Sequence, residues 1–176
     1  MAILKRDNNS VSLAGEFAVL SQLALRGYDA NMTLGRTKSV DILVSHPETG
    51  KMFKLEVKTK YRDSSKEMHR SAIFGKVKGE WIMNQKQEGW IDPTLFYCFV
   101  IISARTTSFQ FYIVPSSIVA KYLKEQHAHW LSEIKKLDKA GKNSKIRTFR
   151  IGFEGDSYPI PTATVERYEN NWTFKT

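Results

Sequence analysis

The sequence carries one cysteine, Cys98, in 176 residues, so an internal disulfide framework and a cysteine-rich zinc site are both excluded. It has no apolar run near the roughly 20 residues that cross a bilayer, and no membrane-spanning helix is expected. Residues 1–10 are polar, without the apolar segment of a signal peptide, and a cytoplasmic location is the expectation. A GxxxxGK[ST] loop is missing too, which argues against nucleotide-powered chemistry within the chain. No Ser/His/Asp or Cys/His set has catalytic spacing. His127 and His129 are two apart, which on a helix separates them by about 200°, so they cannot share one ion. There is no internal repeat, low-complexity tract or interdomain linker.

What is present is the composition of a folded soluble protein, 41% hydrophobic and 26% charged. The length suits one domain, residues 1–176, with a core over about 10–136 and a C-terminal extension over 137–176. Lysine and arginine number 27 against 18 acidic residues, a net charge of +9. An anionic partner is expected, nucleic acid ahead of membrane because no long basic amphipathic helix stands out.

Helical spacing marks residues 10–26, with Leu13, Phe17, Leu20 and Ala24 as the apolar stripe and Gly27 as the stop. A short strand is expected at 28–33, a turn at 34–37, and a β-branched run at 40–45. Pro47 to Gly50 supplies a turn before a period-two strand at 52–60, so the last two strands form a hairpin. Residues 61–78 read as a basic loop and 79–88 as a helix. The run 95–104 is almost continuously apolar, as in a strand covered on both faces, with a partner at 109–114. Pro115-Ser116 opens a long helix lined by Ile118, Val119, Tyr122, Leu123, Trp130, Leu131 and Ile134, and one more strand is expected at 148–153. This order implies a layered α/β domain with a mixed sheet of about five strands.

Three carboxylates stand out against that frame. Glu56 and Lys58 are two apart on one strand and share a face, while Leu55, Val57 and Thr59 take the other. Alone, that is an ordinary amphipathic strand. Asp41 sits inside Val40-Asp41-Ile42-Leu43-Val44, where an unpaired buried carboxylate costs several kcal/mol. A divalent cation can compensate it, and the hairpin sets the Asp41 strand about 4.8 Å from that of Glu56. A strand cap, or a pairing with Arg36 or Lys38, is the alternative. Glu16 falls between Leu20 and Leu23 on the helical wheel, so a third carboxylate faces the sheet. Metal-assisted phosphodiester hydrolysis uses this inventory: carboxylates to hold Mg²⁺ or Mn²⁺, and a lysine at the attacking water or the scissile phosphate.

Gly15-Glu16 in an opening helix, Ser39-Val40-Asp41-Ile42-Leu43-Val44, and Leu55-Glu56-Val57-Lys58-Thr59-Lys60 together resemble the PD-(D/E)XK nuclease superfamily, its Holliday-junction-resolvase-like branch in particular. The resemblance covers residues 10–60 well and the later elements only in order. It implies a restriction-endonuclease-like three-layer α/β fold, Mg²⁺ with Mn²⁺ as a substitute, and DNA cleavage. By this resemblance Asp41, Glu56 and Lys58 match the core motif. Glu16 matches the acidic residue of the first helix, and Gln85 a polar position in the helix after the motif. Val40 stands where the name-giving proline would be, which narrows the branch. The expected activity is endonucleolytic, on a junction, repair or restriction-like DNA; the alternative is a noncatalytic nucleic-acid-binding module on the same fold.

Lys60, Arg62, Arg70, Lys76 and Lys78, with Lys66 and His69 among them, are the expected phosphate contacts beside the site. Lys139, Lys142, Lys145 and Arg147 form a second basic group. Tyr61 and Trp81 are expected to pack rather than to stack on bases. A homodimer is attractive because cutting two strands takes two sites.

Overall fold

The structure, a computed structural model, describes residues 7–33, 40–62, 69–71, 75–136, 144–154 and 159–175. Helix α1 (Asn8–Ala24) is followed by strands β1 (Asp29–Met32), β2 (Ile42–Ser45) and β3 (Met52–Arg62). Then come β4 (His69–Ser71), β5 (Gly75–Asn84), a 3₁₀ turn (Gln85–Gly89), β6 (Leu95–Ser103) and β7 (Phe109–Pro115). Helix α2 (Ser116–Lys136), β8 (Ile146–Glu154) and the short α3 (Val165–Tyr168) complete the order.

The fold is α/β with a mixed five-stranded sheet in the order β1-β2-β3-β6-β7. β3 and β6 run parallel and the other pairs antiparallel. The apolar run of β6 is buried on both faces and divides the interior. Phe96, Cys98, Val100 and Ile102 join Val19 and Leu23 of α1 in one core; Tyr97, Phe99 and Ile101 join Val119, Tyr122 and Leu123 of α2 in the other. The sheet is thus the middle of three layers, as in the nuclease-like architecture expected from the sequence. Among the described residues no helix is long and apolar enough to cross a membrane.

Four readings of the sequence need correction. Residues 79–88 form no α-helix: β5 runs to Asn84, because Val77, Gly79, Trp81 and Met83 alternate inward against Lys78, Glu80, Ile82 and Asn84. The loop expected over 61–78 contains the end of β3 together with β4 and the start of β5. β4, β5 and β8 make a second antiparallel sheet, order β4-β5-β8. Trp81 and Phe149 of this sheet pack on Phe99 with ring centroids 4.8 and 4.4 Å away. The stretch read as an extension supplies Phe149 and Ile151 to one core and Trp172 and Phe174 to the other. The turn expected at 34–37, with Arg36, Lys38, Lys66, Lys139 and Lys142, lies outside the described residues.

The fourth correction concerns α1. Leu13 and Phe17 of the expected buried stripe are 44% and 56% exposed, and the face on the sheet is Gly15, Val19 and Leu23. A glycine adds nothing to an apolar pattern, so the true stripe looked shorter than the false one. Gly15 is there for proximity: a Cβ on it would stand 1.9 Å from Thr59 Oγ1. Gly15→Ala is therefore expected to destabilise by about 1–3 kcal/mol through overpacking, although alanine is the better helix former. Denaturant midpoints check this, and Thr59→Ala in the same chain, which removes both γ atoms, should recover part of the loss.

Candidate active site

β2 is shorter than its partner. Its register on β3 ends with Ile42 opposite Leu55; just beyond it the Asp41 amide still donates to the Leu55 carbonyl at 2.8 Å, one residue out of register, and Asp41 stays near enough to Glu56 for their charges to couple. From there β3 continues with β6 on one flank only among the described residues. Asp41 Oδ2 accepts a hydrogen bond of 2.7 Å from the Val57 amide, the first backbone donor left over by β2. The half-buried Asp41 thus does part of its work as a strand-edge cap, one of the alternatives its sequence context offered.

Glu56 is 4% exposed. Its Oε1 accepts 2.7 Å from Lys58 Nζ and 3.1 Å from Gln87 Nε2. Its Oε2 makes no hydrogen bond of normal geometry, and the Tyr97 hydroxyl, equally without one, lies close enough to the carboxylate to act as a weak donor that lowers its pKa. Tyr97, its register partner on β6, lies beside it. Burial raises the Glu56 pKa, the Lys58 ammonium opposes that, and the nearby Asp41 charge adds to the rise. Glu16, held on α1 by the Gly15 contact, has its pKa raised as well, first by burial and then by Asp41, against a Ser12 hydroxyl hydrogen bond of 3.4 Å and the Lys58 charge. Glu16, Asp41, Glu56 and Lys58 therefore feel one another, coming from one helix and two neighbouring strands.

Among the described residues no group of three or more His, Cys, Asp or Glu side chains is gathered at metal-ligand spacing. The pair that suits a cation is Asp41 with Glu56: two hard oxygen donors whose charges couple, one of them buried. That set matches an ion that takes one or two carboxylates and keeps several waters, as Mg²⁺ does.

Gln85, expected at the site, is exposed on the 3₁₀ turn, and its amide donates to the Lys145 carbonyl at 2.8 Å. Gln87 is the glutamine that reaches Glu56. Its Oε1 accepts from the Asn84 amide at 2.5 Å while Asn84 Oδ1 accepts from the Lys86 amide at 3.0 Å, a capping box that fixes the direction of the Gln87 Nε2. Asn84-x-x-Gln87 was the signal in the sequence, hidden by reading the segment as a long helix. Gln87→Leu is expected to weaken divalent-ion binding about 10- to 100-fold, as loss of an outer-shell partner does, with Gln85→Ala silent; calorimetric titration with Mn²⁺ separates them.

The free flank of β3 opens into a cleft of about 710 Å³. Its floor includes Lys58 and Lys60, one wall is α1 at Asn8, Val11 and Ser12, and the other is the outer face of β5 and β8. Lys58 is thus the group that connects open solvent with the buried Glu56. Of the other basic residues, Lys60 Nζ donates to the Glu80 carbonyl at 3.4 Å and Arg62 to the Lys78 carbonyl at 2.8 Å, bracing the second sheet on β3. Burial lowers the Lys60 pKa, with Glu80 opposing. Arg70 and Lys76 are register partners in β4 and β5, and Lys78 is half-buried. Arg147 is buried in an ion pair with Glu88 and is structural rather than a free phosphate contact. Trp81 and Tyr61 pack, Trp81 on Phe99 and Tyr61 with its hydroxyl on the Ala104 carbonyl at 3.4 Å. His127 is buried and stacks on Trp130.

No family model matches the chain, and no curated protein matches it significantly in sequence. Among solved structures it is similar to a bacterial homing endonuclease, I-Ssp6803I, at 11% identity and a TM-score of 0.48, over 95% of this chain and 91% of that one.

Proposed function

We propose that the chain is a divalent-metal-dependent endonuclease that hydrolyses DNA phosphodiester bonds, a member of the PD-(D/E)XK type with Glu16, Asp41, Glu56 and Lys58 at its centre. The observation that carries this reading is the buried Glu56 carboxylate, coupled to Asp41 and paired with a lysine that lines an open cleft. A carboxylate buried this far costs stability unless cations face it, and burial raises its pKa here despite Lys58.

Asp41 and Glu56 would hold Mg²⁺ or Mn²⁺, and Glu16 would reach it through a water. The ion, when bound, neutralises charge growing on the phosphate oxygens as water attacks in line. Lys58, which lines the cleft and pairs with Glu56, would orient the attacking water or the scissile phosphate. Gln87 holds Glu56 in place through Oε1. The net charge of +9 and the lysines of the cleft floor favour a polyanion.

The test is incubation of the protein with plasmid, linear and branched DNA in Mg²⁺ or Mn²⁺, beside Asp41→Ala, Glu56→Ala and Lys58→Ala variants. Cleavage by the parent protein alone supports the reading. Equal cleavage by all four preparations marks a contaminant. Salt-dependent DNA binding with no cleavage in any metal selects the noncatalytic module instead.

A further inference from the structure

The outer face of β5 and β8 is not that of an ordinary surface sheet. Two of its residues, Ile82 and Ile146, are 77% and 60% exposed. In the register Ile82 lies opposite Thr148 and Asn84 opposite Ile146, so the two isoleucines are diagonal neighbours on one face. Both line the cleft that contains Lys58. Single exposed apolar residues are normal, but two side by side on the wall of a charged cleft call for an occupant. The cleft lysines and the +9 net charge favour an anionic one, and Lys86 and Lys145, both exposed, flank the pair. Thr148 between them adds a methyl and a hydroxyl.

We infer that this face is a base-reading surface: the β5–β8 ribbon enters the major groove of duplex DNA, and Ile82 and Ile146 rest on base edges, thymine methyl groups foremost. The choice of DNA as ligand rests on the function proposed above. The dimensions agree, since two strands about 4.8 Å apart fit a groove about 12 Å wide. The opposite face of the ribbon is fixed by Trp81 and Phe149 in the core, so the reading face is presented rigidly. Phosphate contacts set position and give no sequence information, whereas apolar contact with the 5-methyl of thymine distinguishes it from cytosine.

The experiment measures anisotropy of a labelled random-sequence duplex pool, about three helical turns long, prepared with thymine or with uracil, in Ca²⁺ and over a series of salt concentrations. Ile82→Ser and Ile146→Ser should each weaken binding about ten- to a hundredfold, the value of one buried aliphatic side chain, with the slope of log Kd against log salt unchanged. Lys145→Ala, by contrast, lowers that slope. Uracil should weaken the parent protein and leave the double isoleucine variant unaffected. Unchanged affinity in both isoleucine variants, with parental melting temperatures, overturns the inference. So does a parent dimer that either variant converts to monomer, because the patch is then a contact between copies. Binding with these signatures but no cleavage in Mg²⁺ or Mn²⁺ sinks the nuclease reading and leaves the reading surface standing; cleavage by the parent with both variants unaffected does the reverse.

Discussion

Glu56→Gln is expected to lower DNA cleavage by about three orders of magnitude or more and, in EDTA, to raise the melting temperature. The first effect follows from removing one of two carboxylates that would hold the ion stabilising the transition state, a contribution of several kcal/mol. The second follows from the direction of its pKa shift. Burial raises the Glu56 pKa in the folded protein. A carboxyl group with a raised folded-state pKa contributes stability that is fully present below the unfolded value of about 4.3 and is lost as pH rises through the folded value. At neutral pH the metal-free protein therefore carries a carboxylate it would rather not ionise, partly relieved by Lys58. The amide removes that burden, and its melting temperature should be nearly flat over the window in which the parent's falls. Adding Mg²⁺ or Mn²⁺ reverses the order: at a hundred times Kd the parent gains about 2.7 kcal/mol and the variant gains less. Melting curves at pH 4, 5, 6 and 7, with and without metal, read both effects. A variant less stable than the parent at every pH in EDTA would mean that Glu56 is held by its partners and is no vacancy for a cation.

Arg147→Met should be the most damaging single change away from the cleft. The Arg147 guanidinium is buried against the Glu88 carboxylate and also donates to the Ser144 and Ile146 carbonyls at 2.7 and 2.9 Å. Truncation leaves Glu88 largely buried and opposite nothing, which costs about 3–5 kcal/mol. Glu88 follows Gln87 on the same 3₁₀ turn, so the loss is expected to reach Glu56: the turn loosens and the Gln87 hydrogen bond to Glu56 goes with it. Chemical denaturation measures the first part and Mn²⁺ titration the second. In Arg147→Met/Glu88→Leu, where both charges are gone, most of the stability should return. A single variant as stable as the parent would show the ion pair to be ornamental.

The parts of this molecule that were legible in the sequence are those whose pattern lies within one element. The β2–β3 hairpin, the doubly covered β6 and the start of α2 all follow from local periodicity and turn residues. Glu56 and Lys58 were legible together for the same reason, since a strand's period of two places them on one face. What escaped depends on contacts between distant segments. Gly15 is buried because Thr59 comes to meet it, which no helical wheel can convey. β5 looked helical because glycines bound residues 79–88 and Ile82 is their one β-branched residue, and its strand character comes from pairing with β8, some seventy residues later. Gln85 matched a site position only on an expected helix, where residues two apart point about 200° apart, whereas on the short capped turn it is Gln87 that reaches Glu56. The second sheet, with half of the cleft, was lost together with β5.

The C-terminal aromatic residues carry a consequence for how the domain comes into being. Phe174 stacks on Phe53 at 4.9 Å, the Tyr28 hydroxyl donates to the Trp172 carbonyl, and Trp172 lies beneath the Arg26 guanidinium. The layer under α1 is thus closed by side chains that emerge from the ribosome more than a hundred residues after the hairpin they cover. Until then the nascent chain exposes Phe53 and Phe96, and a growing polypeptide stalled or cleaved before residue 172 should be a client for chaperones rather than a smaller folded version of the same protein.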